Sequence, residues 1–292
     1  MKAKKIIFIL AVILASCSGN EELSDAYGNF ESDDVIVSSE ANGKILQLNI
    51  QEGQKLKRGE VVAIIDSTDL TLKKQQLLAQ KKAVASKIEN IRAQIEVQEQ
   101  QKKNLLVDKA RIEKMLKDGA ATQKQLDDIN GKIDLVNAQI SSINTQNVSI
   151  QSEMDVIKTQ IAQVEEGVRK CKVVSPLNGT VLEKYAEQGE ITAFGRPVFK
   201  IADLDVLYLK VYVSGDQLPH IKLGQQVEVL IDDTKKKNSK LTGVVSWISS
   251  TAEFTPKIIQ TKEERVNMVY AVKIRVKNDG SLKIGMPGEA NF

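Results

Sequence analysis

Leu126, Ile129, Ile133, Val136, Ile140, Ile143, Ile150, Met154, Ile157, Ile161, Val164 and Val168 follow one another at alternating three- and four-residue steps, interrupted only by Asn147. This is a sustained a/d heptad seam. Upstream, Leu70, Leu77, Val84, Ile88, Ile91, Ile95, Leu105, Ile112 and Leu116 keep the same rhythm less cleanly, with Lys74, Lys81, Gln98, Lys102 and Lys109 at the remaining seam positions. The pattern predicts two helices of matched length facing each other. The break between them is Asp118-Gly119-Ala120-Ala121-Thr122, where Gly119 suits a helix C-cap and Thr122 an N-cap, with Gln125 completing a capping box. An antiparallel hairpin follows, each arm running about 45–50 residues and reaching roughly 70 Å at 1.5 Å per residue. That far exceeds an ordinary globular helix and suits an element that spans a distance.

On either side of the helices the period changes. From Val35 to Asp66 short apolar runs are separated by Gly43, Gly53 and Gly59, and from Cys171 to Asp203 the plan repeats with Gly179, Gly189 and Gly195. Asn42-Gly43-Lys44-Ile45 matches Asn178-Gly179-Thr180-Val181, and Glu52-Gly53-Gln54 matches Gln188-Gly189-Glu190. Each half is too small to bury a core alone, so the two are expected to close into one flattened β-sandwich of the lipoyl or biotinyl kind, with the hairpin inserted between them. In carrier domains of that fold the modified residue lies on the joining turn, which the hairpin replaces here, so no lipoate or biotin cofactor is expected. From Val206 to Phe292 a third region alternates apolar and polar residues between glycines at 224, 243, 285 and 288, the pattern of a small β-barrel. Lys235-Lys236-Lys237 falls in a polar interval of that region and reads as an exposed loop.

The fold class expected is therefore α+β: a long antiparallel α-helical coiled-coil hairpin inserted in a split lipoyl-like β-sandwich, followed by a small β-barrel. The divisions are a signal peptide at 1–16, a flexible tether at 17–33, the first half-sandwich at 34–67, the hairpin at 68–170, the second half-sandwich at 171–204 and the barrel at 205–292.

The N-terminus places this object in a compartment. Lys2, Lys4 and Lys5 precede an apolar run from Ile6 to Ala15 that closes at Leu14-Ala15-Ser16-Cys17, the pattern of a bacterial lipoprotein signal. Cleavage before Cys17 leaves that sulfur acylated and the mature chain tethered outside the cytoplasm, and the apolar run is too short for a spanning helix. Cys171 then has no disulfide partner. One histidine, His220, cannot build an ordinary zinc site with it or a Cys/His nucleophile pair, and His220 reads as exposed. No catalytic constellation stands out. Net charge is +3, with lysines interleaved among acids and glutamines along the helices, so nucleic-acid binding has no support.

A lipid-anchored chain with a split lipoyl-like domain, a helical hairpin and a barrel resembles the HlyD-like membrane fusion proteins, the periplasmic adaptors of bacterial export pumps. Ala252-Glu253-Phe254-Thr255-Pro256-Lys257, Gln260 to Arg265 and Val269-Tyr270-Ala271-Val272 are similar to adaptors that partner ABC-type exporters. Adaptors that dock on a TolC-like outer-membrane channel carry an arginine, a leucine four residues on and a serine seven further, and Arg111, Met115 and Thr122 stand there, with Met for Leu and Thr for Ser. The resemblance implies a non-enzymatic protein of the periplasm, held to the inner membrane by its lipid and assembled as a ring, commonly a hexamer, between transporter and channel. It implies channel docking by Arg111, Met115, Gly119, Ala120, Ala121 and Thr122. The residues alone leave Gly119 and Thr122 equally explained as turn caps. Other readings are an adaptor of a proton-driven pump, a structural lipoprotein using the coiled coil as an envelope spacer, and a lipoate or biotin carrier.

Overall fold

The computed structural model describes residues 24–234, 237–254 and 268–292. The expectations for residues 1–23, the signal peptide and Cys17 among them, lie outside this set, as do Lys235, Lys236 and the whole run from Thr255 to Arg265.

The sandwich is built from β2 (Asp34–Ser38), β3 (Gly43–Leu48), β4 (Lys55–Leu56) and β5 (Val61–Ile65), then β6 (Lys172–Val174), β7 (Gly179–Lys184), β8 (Ile191–Thr192) and β9 (Pro197–Ala202). Neither half forms a sheet by itself. One sheet runs β2-β9-β7-β4 and the other β6-β5-β3-β8, so each sheet takes two strands from each half. The sequence repeat becomes a repeated hydrogen-bond pattern. Gly53 N–H donates to the Val181 carbonyl at 2.8 Å and Gly189 N–H to the Ile45 carbonyl at 2.8 Å. Ser175 N–H reaches Glu60 and Ser39 N–H reaches Arg196, each at 2.9 Å. The side chain of Asn178 accepts from Arg58 N–H, and that of Asn42 from Phe194 N–H. The equivalent glycines are required by close approach: a Cβ at Gly179 would lie 2.5 Å from the Ala202 carbonyl oxygen, and one at Gly43 3.1 Å from that of Asp66. Ile45, Ile65, Val181, Phe199 and Ile201 form the shared core.

Helices α1 (Thr68–Lys117) and α2 (Gln123–Lys170) leave this sandwich from neighbouring strands, since β5 pairs with β6 through Val61↔Val174 and Ala63↔Val173. The Asp66 carboxylate accepts from the backbone N–H and hydroxyl of Thr68 at 2.9 and 2.6 Å, which fixes the exit into α1 and holds its own pKa below the usual carboxylate value. On the return, Cys171 is buried in the joint between α2 and β6, where burial pushes its thiol up.

The barrel consists of β1 (Ala26–Glu31), β10 (Val206–Ser214), β11 (Gln226–Thr234), β12 (Lys237–Ile248), β14 (Met268–Lys277) and β15 (Pro287–Asn291), with the short β13 (Glu253–Phe254) on β14. The order β10-β1-β15-β11-β12-β14 closes through β14 on β10, which removes open edges. Leu207, Leu209, Val211 and Val213 alternate inward along β10 against Val229, Val272 and Ile274.

Two expectations change. The tether does not extend over 17–33, because residues 26–31 are β1, paired with β10 through Phe30↔Leu209 and with β15 through Gly28↔Gly288. Ala26 and Phe30 supply inward side chains, and Gly28 lets the strand pass so close to β10 that a Cβ would fall 1.8 Å from the Lys210 carbonyl oxygen. The Lys235–Lys237 interval is also shorter than a loop spanning all three lysines, since Lys237 already pairs with Thr234 at the start of β12.

Candidate functional site

The seam comes from the heptad pattern. Leu77, Val84, Met154, Ile157 and Ile161 form a buried cluster with Ile88, Ile150 and Val164 against it. Cross-helix ion pairs Lys74–Glu165 at 2.8 Å and Lys87–Glu153 at 3.4 Å are half-exposed and mark the antiparallel register that the buried cluster sets, and Leu70 packs within 3.3 Å of where a Gly167 side chain would begin.

Toward the tip the seam becomes one-sided. Ile129, Ile133, Val136 and Ile140 remain buried on α2, whereas α1 offers Gln98, Lys102 and Lys109 interleaved with the half-buried Leu105, Ile112 and Leu116. Their aliphatic stems can cover apolar surface while the polar ends reach water. Mid-hairpin, Gln98 Oε1 and Asn147 Oδ1 are buried with no hydrogen-bond partner among the described residues. A lone polar a-position residue restricts register at a cost in stability. Asn147→Ile removes one orphaned acceptor and fills a seam position, so it should stabilise the hairpin by about 1–2 kcal/mol. Thermal melting of the full chain followed by helical circular dichroism checks this, and a lower midpoint would contradict the seam assignment.

The tip is a turn closed by backbone and capping hydrogen bonds. Ala120 N–H donates to the Met115 carbonyl at 2.8 Å and Gly119 N–H to that of Leu116 at 3.2 Å, the paired bonds of a Schellman motif, with Gly119 at φ +73°. Thr122 caps α2: its N–H donates to Gln125 Oε1 at 2.8 Å, and its hydroxyl accepts from Gln125 N–H at 3.3 Å. The capping roles of Gly119 and Thr122 are thus present in the structure. Ala120 is exposed and Ala121 half-buried, so little bulk covers the turn.

Arg111 and Met115 lie one turn apart on α1, both exposed and off the seam positions Ile112 and Leu116. Arg111 sits 3.4 Å from the Asp108 carboxylate in an exposed pair that leaves the guanidinium accessible, and Met115 is 41% exposed. The structure therefore presents Arg111 and Met115 as one polar-apolar stripe leading to the small residues of the turn, while the Thr122 hydroxyl is occupied within the cap. Chemically this surface can pack against a helical end and donate to carbonyls or carboxylates.

The other sequence-predicted features lie apart. Glu253 is described, 4.0 Å from Lys210 on the barrel, and His220 is exposed in a 3-10 turn (Leu218–His220). Among the described residues no group of three or more His, Cys, Asp or Glu could hold a metal ion, and no helix is long and apolar enough to cross a membrane. Sequence reasoning missed β1 and the exposed apolar residues near it. The Ala26-x-Gly28-x-Phe30 alternation was the available signal.

Residues 33–203, more than half of the chain, match the family model of the CzcB-like barrel-sandwich hybrid domain. The chain is 25% identical over 316 residues to a UPF0194 membrane protein of Yersinia enterocolitica, covering 98% of this chain and 96% of that one. It is 25% identical over 297 residues to a UPF0194 membrane protein of Acidithiobacillus ferridurans, covering 91% and 86%. Among solved structures it is similar to MacA from Actinobacillus actinomycetemcomitans, with 22% identity, TM-score 0.56, and 92% of this chain and 78% of that one covered. It is also similar to the membrane fusion protein Spr0693 of Streptococcus pneumoniae, with 16% identity, TM-score 0.57, and 91% and 96% covered. These structural likenesses show a shared fold of hybrid sandwich, barrel and paired helices.

Proposed function

The chain belongs to the family of the CzcB-like barrel-sandwich hybrid domain, and from that premise we propose that it is a periplasmic adaptor of an export pump. In this reading it is a non-enzymatic protein of the HlyD-like membrane fusion type, joining an inner-membrane transporter to a TolC-like outer-membrane channel. The observation that carries it is the hairpin: two helices of 50 and 48 residues growing from adjacent strands of a split sandwich, ending in a rigid, uncluttered turn. At 1.5 Å per residue the arms reach about 70–75 Å, a length with no use in stabilising the sandwich but suited to crossing a periplasmic gap.

Acylation at Cys17 holds the barrel end at the inner membrane, and the hairpin points away from it. Copies of the chain assemble as a ring, with each hairpin one stave and six copies the expected number. Arg111, Met115, Gly119, Ala120 and Ala121 form the channel contact, and Thr122 supports it by capping. The partner transporter is of the ABC type, a choice supported by the run around Ala252–Phe254 and Val269–Val272 that resembles adaptors of such exporters.

The test is mild-detergent purification of the tagged full-length protein from its native envelope, with and without Gly119→Trp, followed by mass spectrometry of what co-purifies. A Cβ at Gly119 meets no atom within 4 Å, so the change adds bulk to the contact surface at the cost of the strain of φ +73°, about 1 kcal/mol. The expected result is recovery of an ABC transporter and an outer-membrane channel with the native chain, and loss of at least about nine-tenths of the channel with the variant, the effect of about 1.4 kcal/mol or more at one interface. Self-oligomers alone would replace the adaptor reading with that of an envelope spacer.

A further inference from the structure

Strand polarity decides which parts of the barrel share an end. β1 runs from the N-terminal segment toward the sandwich, and β10, antiparallel to it, runs away from the sandwich into the connection at residues 215–225. That connection and the start of the described chain therefore lie at the same end, far from the sandwich. They are tied together: Gln217 Nε2 donates to the Asp25 carbonyl at 3.0 Å, and Phe292 N–H donates to the Asp25 carboxylate at 2.9 Å.

This end exposes large apolar side chains. Leu223 is 70% exposed, and Tyr27 and Met268 are each 51% exposed. A single exposed leucine needs no explanation, but this one is held at the apex of a built turn. Gly224, at φ +84°, donates to the Val245 carbonyl at 2.9 Å, Gln225 N–H donates to the Lys222 carbonyl at 3.1 Å, and Lys222 N–H donates to Gln225 Oε1 at 2.9 Å. Ile221 anchors the turn in the barrel core, while Leu223 projects with Lys222 and His220 exposed beside it.

Only seven residues lie between Cys17 and the start of the described chain, counting Cys17 itself. At 3.3–3.6 Å per residue they can reach at most about 25 Å. We infer that this end of the barrel rests on the lipid bilayer that holds the N-terminal lipid, with Leu223 entering the interface between headgroups and acyl chains. The inference depends on acylation of Cys17. The short reach keeps the apolar apex within about 25 Å of the bilayer that carries the anchor, so a lipid surface is the occupant proposed, and a protein partner at the same membrane is the alternative that the test separates. Asp25, Asp216 and Glu289 stand at the same end as Lys222, so charge does not drive the contact and neutral lipid should suffice.

Trp247 is the chain's only tryptophan, which allows a clean reporter. In the full-length acylated protein carrying Trp247→Phe, either Leu223→Trp or Ile284→Trp supplies a single fluorophore. Ile284, 46% exposed, lies in the β14–β15 connection at the opposite end. The proteins are reconstituted on phosphatidylcholine vesicles with and without brominated acyl chains, and flotation is scored in the same samples. The expected result is flotation of both, with emission at position 223 blue-shifted and quenched about twofold by brominated lipid and emission at 284 unchanged. Flotation with position 223 no more quenched than 284 overturns the contact and leaves the anchor standing. Shielding of 223 from an aqueous quencher without lipid quenching assigns the surface to protein instead. Failure to float overturns the anchor and the contact with it.

Discussion

Gly28→Ala is expected to unfold the barrel while leaving the helical hairpin standing. The added Cβ would sit 1.8 Å from the Lys210 carbonyl oxygen, 2.6 Å from its carbon and 2.8 Å from Val211 Cα, all of them backbone atoms of β10. No rotamer change relieves such a clash. Either β1 separates from β10 or the barrel opens, and the register Gly28↔Val211 and Gly28↔Gly288 is lost on both sides. The cost belongs with the most severe core overpacking, about 3 kcal/mol or more. For a domain of this size that corresponds to a fall in midpoint of roughly 15 °C. The sandwich and the hairpin have their own buried clusters, so they should keep their stability. Trp247 lies in β12 and reports the barrel, and circular dichroism at 222 nm reports the helices. An unchanged fluorescence midpoint would refute the position of β1 in the barrel.

That strand is also where sequence reading stopped short. The seam was legible because isoleucine, leucine and valine recur over many heptads, and every seam position of α2 from Leu126 to Val168 is buried or half-buried. The half-sandwich repeat was legible because glycine, asparagine and apolar residues align across both halves, and the paired hydrogen bonds show why those types recur. β1 offers only the short alternation Ala26-x-Gly28-x-Phe30, with no repeat behind it. Its inward positions are Ala26, Gly28 and Phe30, of which only the last is large, and closeness to β10 selects for small residues that look like tether. Thr192 shows a second limit. It is buried at 2% exposure with no hydrogen-bond partner for its hydroxyl among the described residues, where its counterpart in the first half is Leu56, and nothing in the structure explains the difference. The tip was legible as a turn. Whether its outward stripe binds a channel depends on a surface outside the chain, which no internal pattern encodes.

Hairpin length can be tested separately from hairpin folding, and this variant should have the largest effect on function. Deleting residues 91–104 and 134–147 together removes two heptads from each arm in matched layers, bringing Leu105 one step after Ile88 in the seam of α1 and Ile150 one step after Ile133 in that of α2. The a/d rhythm continues through both joins, and the orphaned Gln98 and Asn147 leave with the deleted layers. A folded protein with an unchanged tip is expected, shortened by about 21 Å. Its circular dichroism should show two matched helices melting at or above the native midpoint. Deleting residues 91–104 alone instead leaves α2 longer than its partner and puts the register of the buried cluster around Leu77 and Ile157 out of step with the turn at Gly119, so that hairpin should be strongly destabilised. If the hairpin bridges transporter and channel, the paired deletion keeps the transporter on co-purification and loses the channel, because the gap is set by the envelope and not by this chain. Retention of the channel at native level would mean that reach is not what the hairpin supplies, and the bridging role would fall even though the fold stood.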